Sequence, residues 1–160
     1  MKFIYADSLD MVDPEYDFEN DRHGPGRKPY WGDQYPHELL GYPPYDGVLV
    51  SRAIVGDQHI SGKYTFSQSM RFRRVGARKF LRLDAPEYAN MPIFGDCGAF
   101  SYHKWEQPPY LAEDTIDFYE EAGFTHGCSI DHIIFEFVDT PGGLSEGSEE
   151  AHRRFDITLQ

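Results

Sequence analysis

The sequence has little cysteine and no long apolar run. Its two cysteines, Cys97 and Cys128, form neither a CxxC pair nor a dense framework, which excludes a disulfide-stapled secreted fold and favours a reducing compartment. No apolar stretch is long enough to span a membrane. Residues 1–20 lack the basic start and apolar core of a signal peptide. We therefore expect a cytoplasmic protein without a membrane partner.

Positive charge is also scarce, because the chain carries a net charge of −12. This balance argues against a simple nucleic-acid coat. Six of the fifteen cations nevertheless fall in one window without an acid: Arg71, Arg73, Arg74, Arg78, Lys79 and Arg82. A polyanion could dock on that window, with Arg71, Arg73 and Arg74 as the predicted phosphate contacts. The commoner interpretation of such a run is a solvated helix surface.

What is present indicates one globular domain. The 160 residues are 40% hydrophobic and 16% aromatic, enough for a real core. Residues 1–160 are predicted to form a single domain with a long insertion rich in Pro, Gly and Tyr at about 9–46. Long loops inside compact domains are usually functional or disordered, and the aromatics here favour an ordered loop packed on the body.

Hydrophobic patterns predict alternating strands and helices. Strands are expected at 2–6, 79–83, 92–95 and 127–131, and residues 46–51 are expected to form a turn and then a strand. Helices are expected at 65–75, over 115–122 with a start nearer Leu111, and from Ser145 or Ser148 into 151–160. A loop or hairpin is expected at 54–63, and a loop at 141–143. The alternation predicts a parallel α/β fold, and about five strands in this length correspond to the N-terminal half of a TIM-type (β/α) barrel.

The predicted helices also have predicted apolar faces. Phe66, Met70 and Val75 should form the buried face of the helix over 65–75. In the helix that ends before Gly123, the buried residues should be Ile116 and the pair Phe118 and Tyr119.

Acidic side chains follow several predicted strands. Asp96 lies in a Gly-Asp-Cys-Gly turn directly after the apolar run 92–94, Asp131 ends the strand 127–131, and Asp7 ends the first strand. Catalytic groups of parallel α/β proteins sit at the C-terminal ends of strands, so we expect Asp96 and Asp131 to share one mouth. Paired carboxylates there suit acid–base work, base recognition or a metal. The alternative is a turn in which Asp96 only satisfies backbone amides.

Two segments resemble a known family. The run Gly95-Asp96-Cys97-Gly98-Ala99-Phe100 is similar to the Asp-Ser/Thr-Gly-Gly-Phe-Gln signature of tRNA-guanine transglycosylases. Segment 119–132 resembles the DNA-directed branch, the DpdA-like 7-deazaguanine transglycosylases, still more closely. The likeness covers roughly residues 47–135. Ala99 stands where the family has its second glycine, and Ser101 stands where it has glutamine.

The resemblance implies an activity and a set of roles. The enzyme would be a pentosyltransferase that replaces guanine in DNA with a 7-deazaguanine such as preQ0. Asp96 matches the active-site aspartate, and Asp131 matches the acid that reads the edge of the base. Phe100 matches the aromatic residue beside the base pocket, and Cys97 and Gly98 fall within the same substrate-binding motif.

The resemblance also implies what this segment would lack. The family's nucleophilic aspartate and its zinc site would both fall beyond Gln160, and Cys97 and Cys128 do not match the zinc ligands. No cofactor is therefore expected within these residues. Function would require a C-terminal half or association between copies.

Three other functions stay open at this stage. A transglycosylase of this family could act on tRNA, although DNA is the favoured substrate. A metal-dependent barrel hydrolase could use Asp7, Asp96, Asp131 and His132, although no HxH or HxxxH pair is present. A non-catalytic nucleic-acid-binding subunit is the third.

Overall fold

The computed structural model describes residues 1–136 and 147–159. Four parallel strands form one sheet in sequential order: β1 (Ile4–Asp7), β2 (Gly47–Ser51), β3 (Ile93–Asp96) and β4 (His126–Gly127). The register pairs Asp7 with Val50 and Ser51 with Asp96. Because all strands run in the same direction, their C-terminal ends meet at one edge of the sheet.

Seven helices accompany the strands in the described part of the chain: α1 (Pro36–Leu40), α2 (Arg52–Val55), α3 (Phe66–Val75), α4 (Ala77–Phe80), α5 (Ala99–Tyr102), α6 (Ala112–Glu121) and α7 (Glu149–Leu159). A 3-10 turn spans Pro86–Tyr88. The predicted α/β class is confirmed. Across the described residues, no helix combines the length and apolar character needed to cross a membrane.

Helix α3 begins and ends as its sequence predicts. The Thr65 hydroxyl accepts a hydrogen bond from the Gln68 amide at 3.3 Å, and the Gln68 side chain accepts one from the Thr65 amide at 2.8 Å. This reciprocal pair is a capping box. The predicted apolar face is wrong in part, because Phe66 and Met70 are 82% and 52% exposed. Phe72, on the opposite side, is the fully buried anchor.

Helix α6 packs a single ring across two strands. A Cβ atom added to Gly95 would lie 2.4 Å from the Tyr119 ring, and one added to Gly127 would lie 2.5 Å from it. Glycine at these two positions therefore lets α6 approach the β3–β4 pair closely. Phe118 and Tyr119 are buried as predicted, whereas Ile116 is 52% exposed and its predicted burial is wrong.

The strand predicted at 79–83 is wrong. The chain there forms α4 and a turn, because Ala77, Phe80 and Leu81 follow helical spacing and all three are buried. Arg82 in the turn has a φ of 57°, which a strand residue does not adopt.

The strand predicted at 127–131 is wrong beyond its first residue. The Cys128 amide donates to the Gly95 carbonyl at 2.8 Å, and Asp96 is the last residue of β3. Since β3 then turns away through Gly98, residues 129–131 pair with no strand in the part of the chain that the structure describes.

The other local predictions meet different outcomes. The loop expected at 54–63 begins instead with the end of α2. Ser148 caps α7, since its hydroxyl accepts from the Ala151 amide at 3.2 Å. The loop expected at 141–143 and the alternative cap Ser145 lie outside the described residues.

Residues 9–46 pack on the body of the domain. Arg82 donates to the carbonyls of Tyr30 at 2.6 Å and Asp33 at 2.9 Å, and it pairs with the Glu38 carboxylate at 3.1 Å. The Nε2 of the buried His37 ring lies 3.3 Å from the Arg82 carbonyl oxygen. Polar contacts over long sequence separations thus hold the insertion against the helices that follow β2.

Candidate active site

A cavity of about 670 Å³ lies at the C-terminal edge of the sheet. The residues that end β1, β2 and β3 line it, namely Asp7, Ser51 and Asp96. Asp131 lines the same cavity from the segment after β4. The expectation that Asp96 and Asp131 share one mouth is therefore met by the structure.

Asp96 is placed by a turn that only glycine permits. Gly98 has a φ of +86°, and a Cβ atom there would lie 2.3 Å from the Ala53 Cβ and 2.7 Å from the Ser51 hydroxyl. The Gly98 amide donates to the Asp96 carboxylate at 3.0 Å. Asp96 thus forms the backbone turn and also faces the cavity.

The environment of Asp96 raises the pKa of its carboxyl. Burial raises the pKa of its carboxyl above the ordinary value, and the neighbouring Asp131 charge acts in the same direction. Hydrogen bonds from the Ser51 hydroxyl and the Gly98 amide oppose this rise without cancelling it. A carboxyl whose pKa is raised in a cavity is suited to giving and receiving a proton.

Asp131 is held by side chains of the Gly95–Tyr102 segment. The Cys97 thiol donates to the Asp131 Oδ1 at 2.8 Å. The Tyr102 hydroxyl lies 3.1 Å from the Asp131 carbonyl oxygen. The segment that supplies Asp96 therefore also contacts Asp131.

Asp7 is the third carboxylate of the cavity and is 4% exposed. It accepts hydrogen bonds from the amides of Leu9 at 3.1 Å and Asp10 at 3.3 Å, and from the Tyr64 hydroxyl at 3.4 Å. Burial raises the pKa of Asp7 above its ordinary value. Asp7 stabilises the turn after β1 while adding an acidic group to the cavity wall.

The two aromatic residues that follow Asp96 differ in their exposure to solvent. Phe100 lines the cavity and is 75% exposed, so its ring is available to a flat ligand. Tyr102 is fully buried and is excluded as a stacking surface for an incoming base.

The chain is similar to a known protein over almost its whole length. The chain is 43% identical, over 162 aligned positions that cover 99% of its length, to a DNA-guanine transglycosylase of Salmonella montevideo. The chain spans 38% of the length of that relative. The resemblance predicted from segments 95–100 and 119–132 is thereby confirmed. No family model matches the sequence.

His132 does not join the carboxylates of the cavity as a metal ligand. Its Nε2 lies 2.8 Å from the Trp105 carbonyl oxygen, and its Nδ1 lies 3.0 Å from the Arg154 guanidinium. Both ring nitrogens are thus occupied within the protein. Among the described residues, no group of three or more His, Cys, Asp or Glu side chains is arranged to hold a metal ion. This arrangement gives no support to the metal-dependent hydrolase.

The three predicted phosphate contacts lie away from this cavity, on α3. The Arg71 guanidinium packs over the Trp31 ring at 4.7 Å. Arg73 donates to the Gly56 carbonyl at 3.0 Å and covers the Phe118 ring at 4.9 Å. Arg74 is exposed. The phosphate role of these arginines stays a prediction, and Arg74 is the one of the three whose charge faces solvent.

Ser51 is a site residue that the sequence patterns missed, and Tyr102, whose ring was a candidate flat surface for a base, has a different place in the site. Ser51 ends β2 opposite Asp96 in the register and lines the cavity. The end of a predicted strand was a usable signal for Ser51. Tyr102 contacts Asp131 across 29 residues, and no local pattern indicates that contact.

Proposed function

We propose that this chain supplies the base-exchange site of an enzyme that replaces guanine in DNA with a 7-deazaguanine such as preQ0. The observation that carries the proposal is the convergence of Asp96 and Asp131 in one cavity. Its relation to a DNA-guanine transglycosylase favours DNA over tRNA as the polymer.

Base exchange requires two successive displacements at C1′ of the sugar and one group that carries a proton. The C1′–N9 bond of the target nucleotide breaks while a carboxylate nucleophile bonds to C1′, and the departing guanine takes up a proton. The incoming base then loses its N9 proton, bonds to C1′ and releases the nucleophile. Asp96 is the proposed proton carrier, since it faces the cavity and burial raises the pKa of its carboxyl toward the range suited to proton transfer. We place the nucleophile on a segment outside these 160 residues.

Recognition of the base falls to the other side chains of the cavity. Guanine and 7-deazaguanines present N1–H and 2-amino donors on one edge, and a carboxylate is an acceptor-only partner for them. Asp131 is the proposed acceptor. A base inside a duplex must first leave the stack, and the exposed ring of Phe100 offers it a flat surface.

The four sequential parallel strands form one half of a (β/α) barrel in this proposal. Within the described residues no further strand pairs with the outer edge of β4, and such an edge needs a partner. We expect the 160-residue chain to self-associate, to bind a C-terminal half, or to be poorly soluble. Sedimentation at micromolar concentration measures this, and a monomer that melts cooperatively would contradict the half-barrel.

The test of the function mixes labelled deazaguanine with DNA, and separately with tRNA, in the presence of the complete enzyme. We expect label in DNA and none in tRNA. Label in tRNA alone would reassign the polymer, and label in neither would end the proposal. The 160-residue chain alone should form no covalent sugar adduct. A trapped adduct would place the nucleophile within this segment, with Asp7 as the first residue to replace.

A further inference from the structure

Asp131 lies where the sheet no longer determines its position. Strand β4 ends at Gly127, and the amide of Cys128 makes the last ladder-type contact, to the Gly95 carbonyl. Asp131 lies four residues beyond Gly127 along the chain, in a segment without regular structure. A carboxylate that must meet a base edge needs a fixed orientation, so something other than the sheet has to provide it.

The contacts that fix Asp131 come from two fully buried side chains of the neighbouring segment. The Cys97 thiol donates a hydrogen bond to the Asp131 Oδ1 at 2.8 Å. The Tyr102 hydroxyl lies 3.1 Å from the Asp131 carbonyl oxygen and 3.1 Å from the Cys97 sulfur. One side chain thus holds the carboxylate, and the other holds the main chain beneath it.

The proton on the Cys97 sulfur is retained at neutral pH. Burial, with a further contribution from the hydrogen bond to Asp131, raises the pKa of Cys97 to about 11. A thiol that keeps its proton donates to a carboxylate, whereas a thiolate would repel it. Because the buried sulfur keeps its proton, the thiol is the donor of this hydrogen bond and the Asp131 carboxylate is the acceptor.

We propose that Cys97 is a positioning residue that turns the Asp131 carboxylate toward the cavity, with Tyr102 as its support. The inference rests on the proposed function for the role of Asp131 toward the base. It replaces the direct substrate contact that the family motif suggests for Cys97, because the sulfur is fully buried. With Oδ1 held by the thiol, the Asp131 Oδ2 is left for the donors of the base.

The functional test compares Cys97→Ala and Cys97→Ser in the complete enzyme. Cys97→Ala should raise the KM for the base about tenfold and change kcat little, as expected for a lost hydrogen bond to a charged group. Cys97→Ser keeps a donor of similar size and should restore most of the KM. The matched control is Cys128→Ser, whose exposed thiol should be silent. An unchanged KM in Cys97→Ala, or a loss that serine does not rescue, would overturn the positioning role.

A spectroscopic test decides the contact without any base exchange. The infrared difference spectrum between wild type and Cys97→Ala isolates the S–H stretch of Cys97. We expect the band at the lowered frequency of a thiol bonded to a carboxylate, and a shift to higher frequency in the Asp131→Ala background. A band that Asp131→Ala leaves in place would overturn the proposal. An enzyme that exchanges no base would end the proposed function, while this spectrum would still decide whether Cys97 holds Asp131.

Discussion

The carboxylates at the C-terminal edge of the sheet and the cations of residues 71–82 differ in what they face. Asp7, Asp96 and Asp131 line a single cavity although they are far apart in sequence. The cations are close together in sequence, yet the structure separates them. Arg78 donates to the carbonyls of Tyr88 and Met91, both at 2.7 Å.

The difference lies in what determines each arrangement. Parallel strands bring their C-terminal ends to one edge of the sheet, so polar residues that end different strands come to lie near one another. A run of cations on a helix instead points in several directions, because successive residues are rotated by 100°. Strand ends therefore carry stronger functional information than local charge density does in this chain.

The largest effect should come from Asp96→Asn, which keeps the size of the side chain but removes its charge and its basicity. Base exchange in the complete enzyme should fall at least about a hundredfold, since the proposed proton carrier is lost. DNA binding should be nearly unchanged. The measurement is label incorporation into DNA, with Asp117→Asn on the exposed face of α6 as the matched control. Incorporation that survives the change would end the role proposed for Asp96.

Asp131→Asn should weaken binding of the base and leave proton transfer unaffected. The amide can turn its donor toward the N1–H and 2-amino donors of the purine, so affinity for the base should fall roughly 10- to 100-fold. Competition of labelled guanine with adenine measures the loss of selectivity. Unchanged affinity and selectivity would show that Asp131 does not read the base edge.

The strand ends could be predicted from sequence because they depend on local patterns. An apolar run followed by a polar residue indicated the ends of β1 and β3, and it placed Asp7 and Asp96 correctly. The pattern failed at 79–83, where a short run of apolar and basic residues resembles a strand. The helical spacing of Ala77, Phe80 and Leu81 was present in the same stretch and decides the structure.

Contacts between distant residues were beyond these patterns. Asp131 reaches the cavity, but not at the end of a strand as predicted, and Cys97 holds it from 34 residues away. Arg82 looked like part of a basic surface, yet it reaches Tyr30 and Asp33 in the insertion. Such contacts depend on which loops pack together, and a single sequence carries no local signal for that.

Arg82→Ala tests whether the basic run is partly structural. Its guanidinium joins the insertion to the body through two carbonyls and the Glu38 carboxylate. Removing it should lower the free energy of unfolding by about 2–3 kcal/mol, which urea denaturation measures. Lys79→Ala, an exposed cation three residues away, should change it by less than about 0.5 kcal/mol. Equal effects of the two changes would contradict this division.

The acid–base environment of Asp96 predicts a small stability effect with a definite sign. Because burial raises the pKa of Asp96, the folded state binds its proton more readily than the unfolded state does. Ionisation therefore costs stability at neutral pH, and Asp96→Asn should unfold at a slightly higher temperature than wild type. The gap should close as the pH falls toward the ordinary pKa of aspartate, near 4. A gap that widens at low pH would contradict the raised pKa.

The smallest effect should come from Arg74→Ala, which isolates the solvent-facing charge of α3. If Arg74 contacts a DNA phosphate, its removal should weaken binding only a few-fold and lower the salt dependence of log K by about one unit. Arg73→Ala is a mixed variant, because its side chain also bonds Gly56 and covers Phe118, so lower stability should accompany any loss of binding. Binding titrations across a series of salt concentrations distinguish a lost phosphate contact from a loss of stability. Only a lost phosphate contact changes the slope of log K against the logarithm of the salt concentration. An unchanged slope in Arg74→Ala would return this helix face to an ordinary solvated surface. The cations of residues 71–82 would then contribute only to packing and solvation, whereas the carboxylates at the edge of the sheet line the cavity.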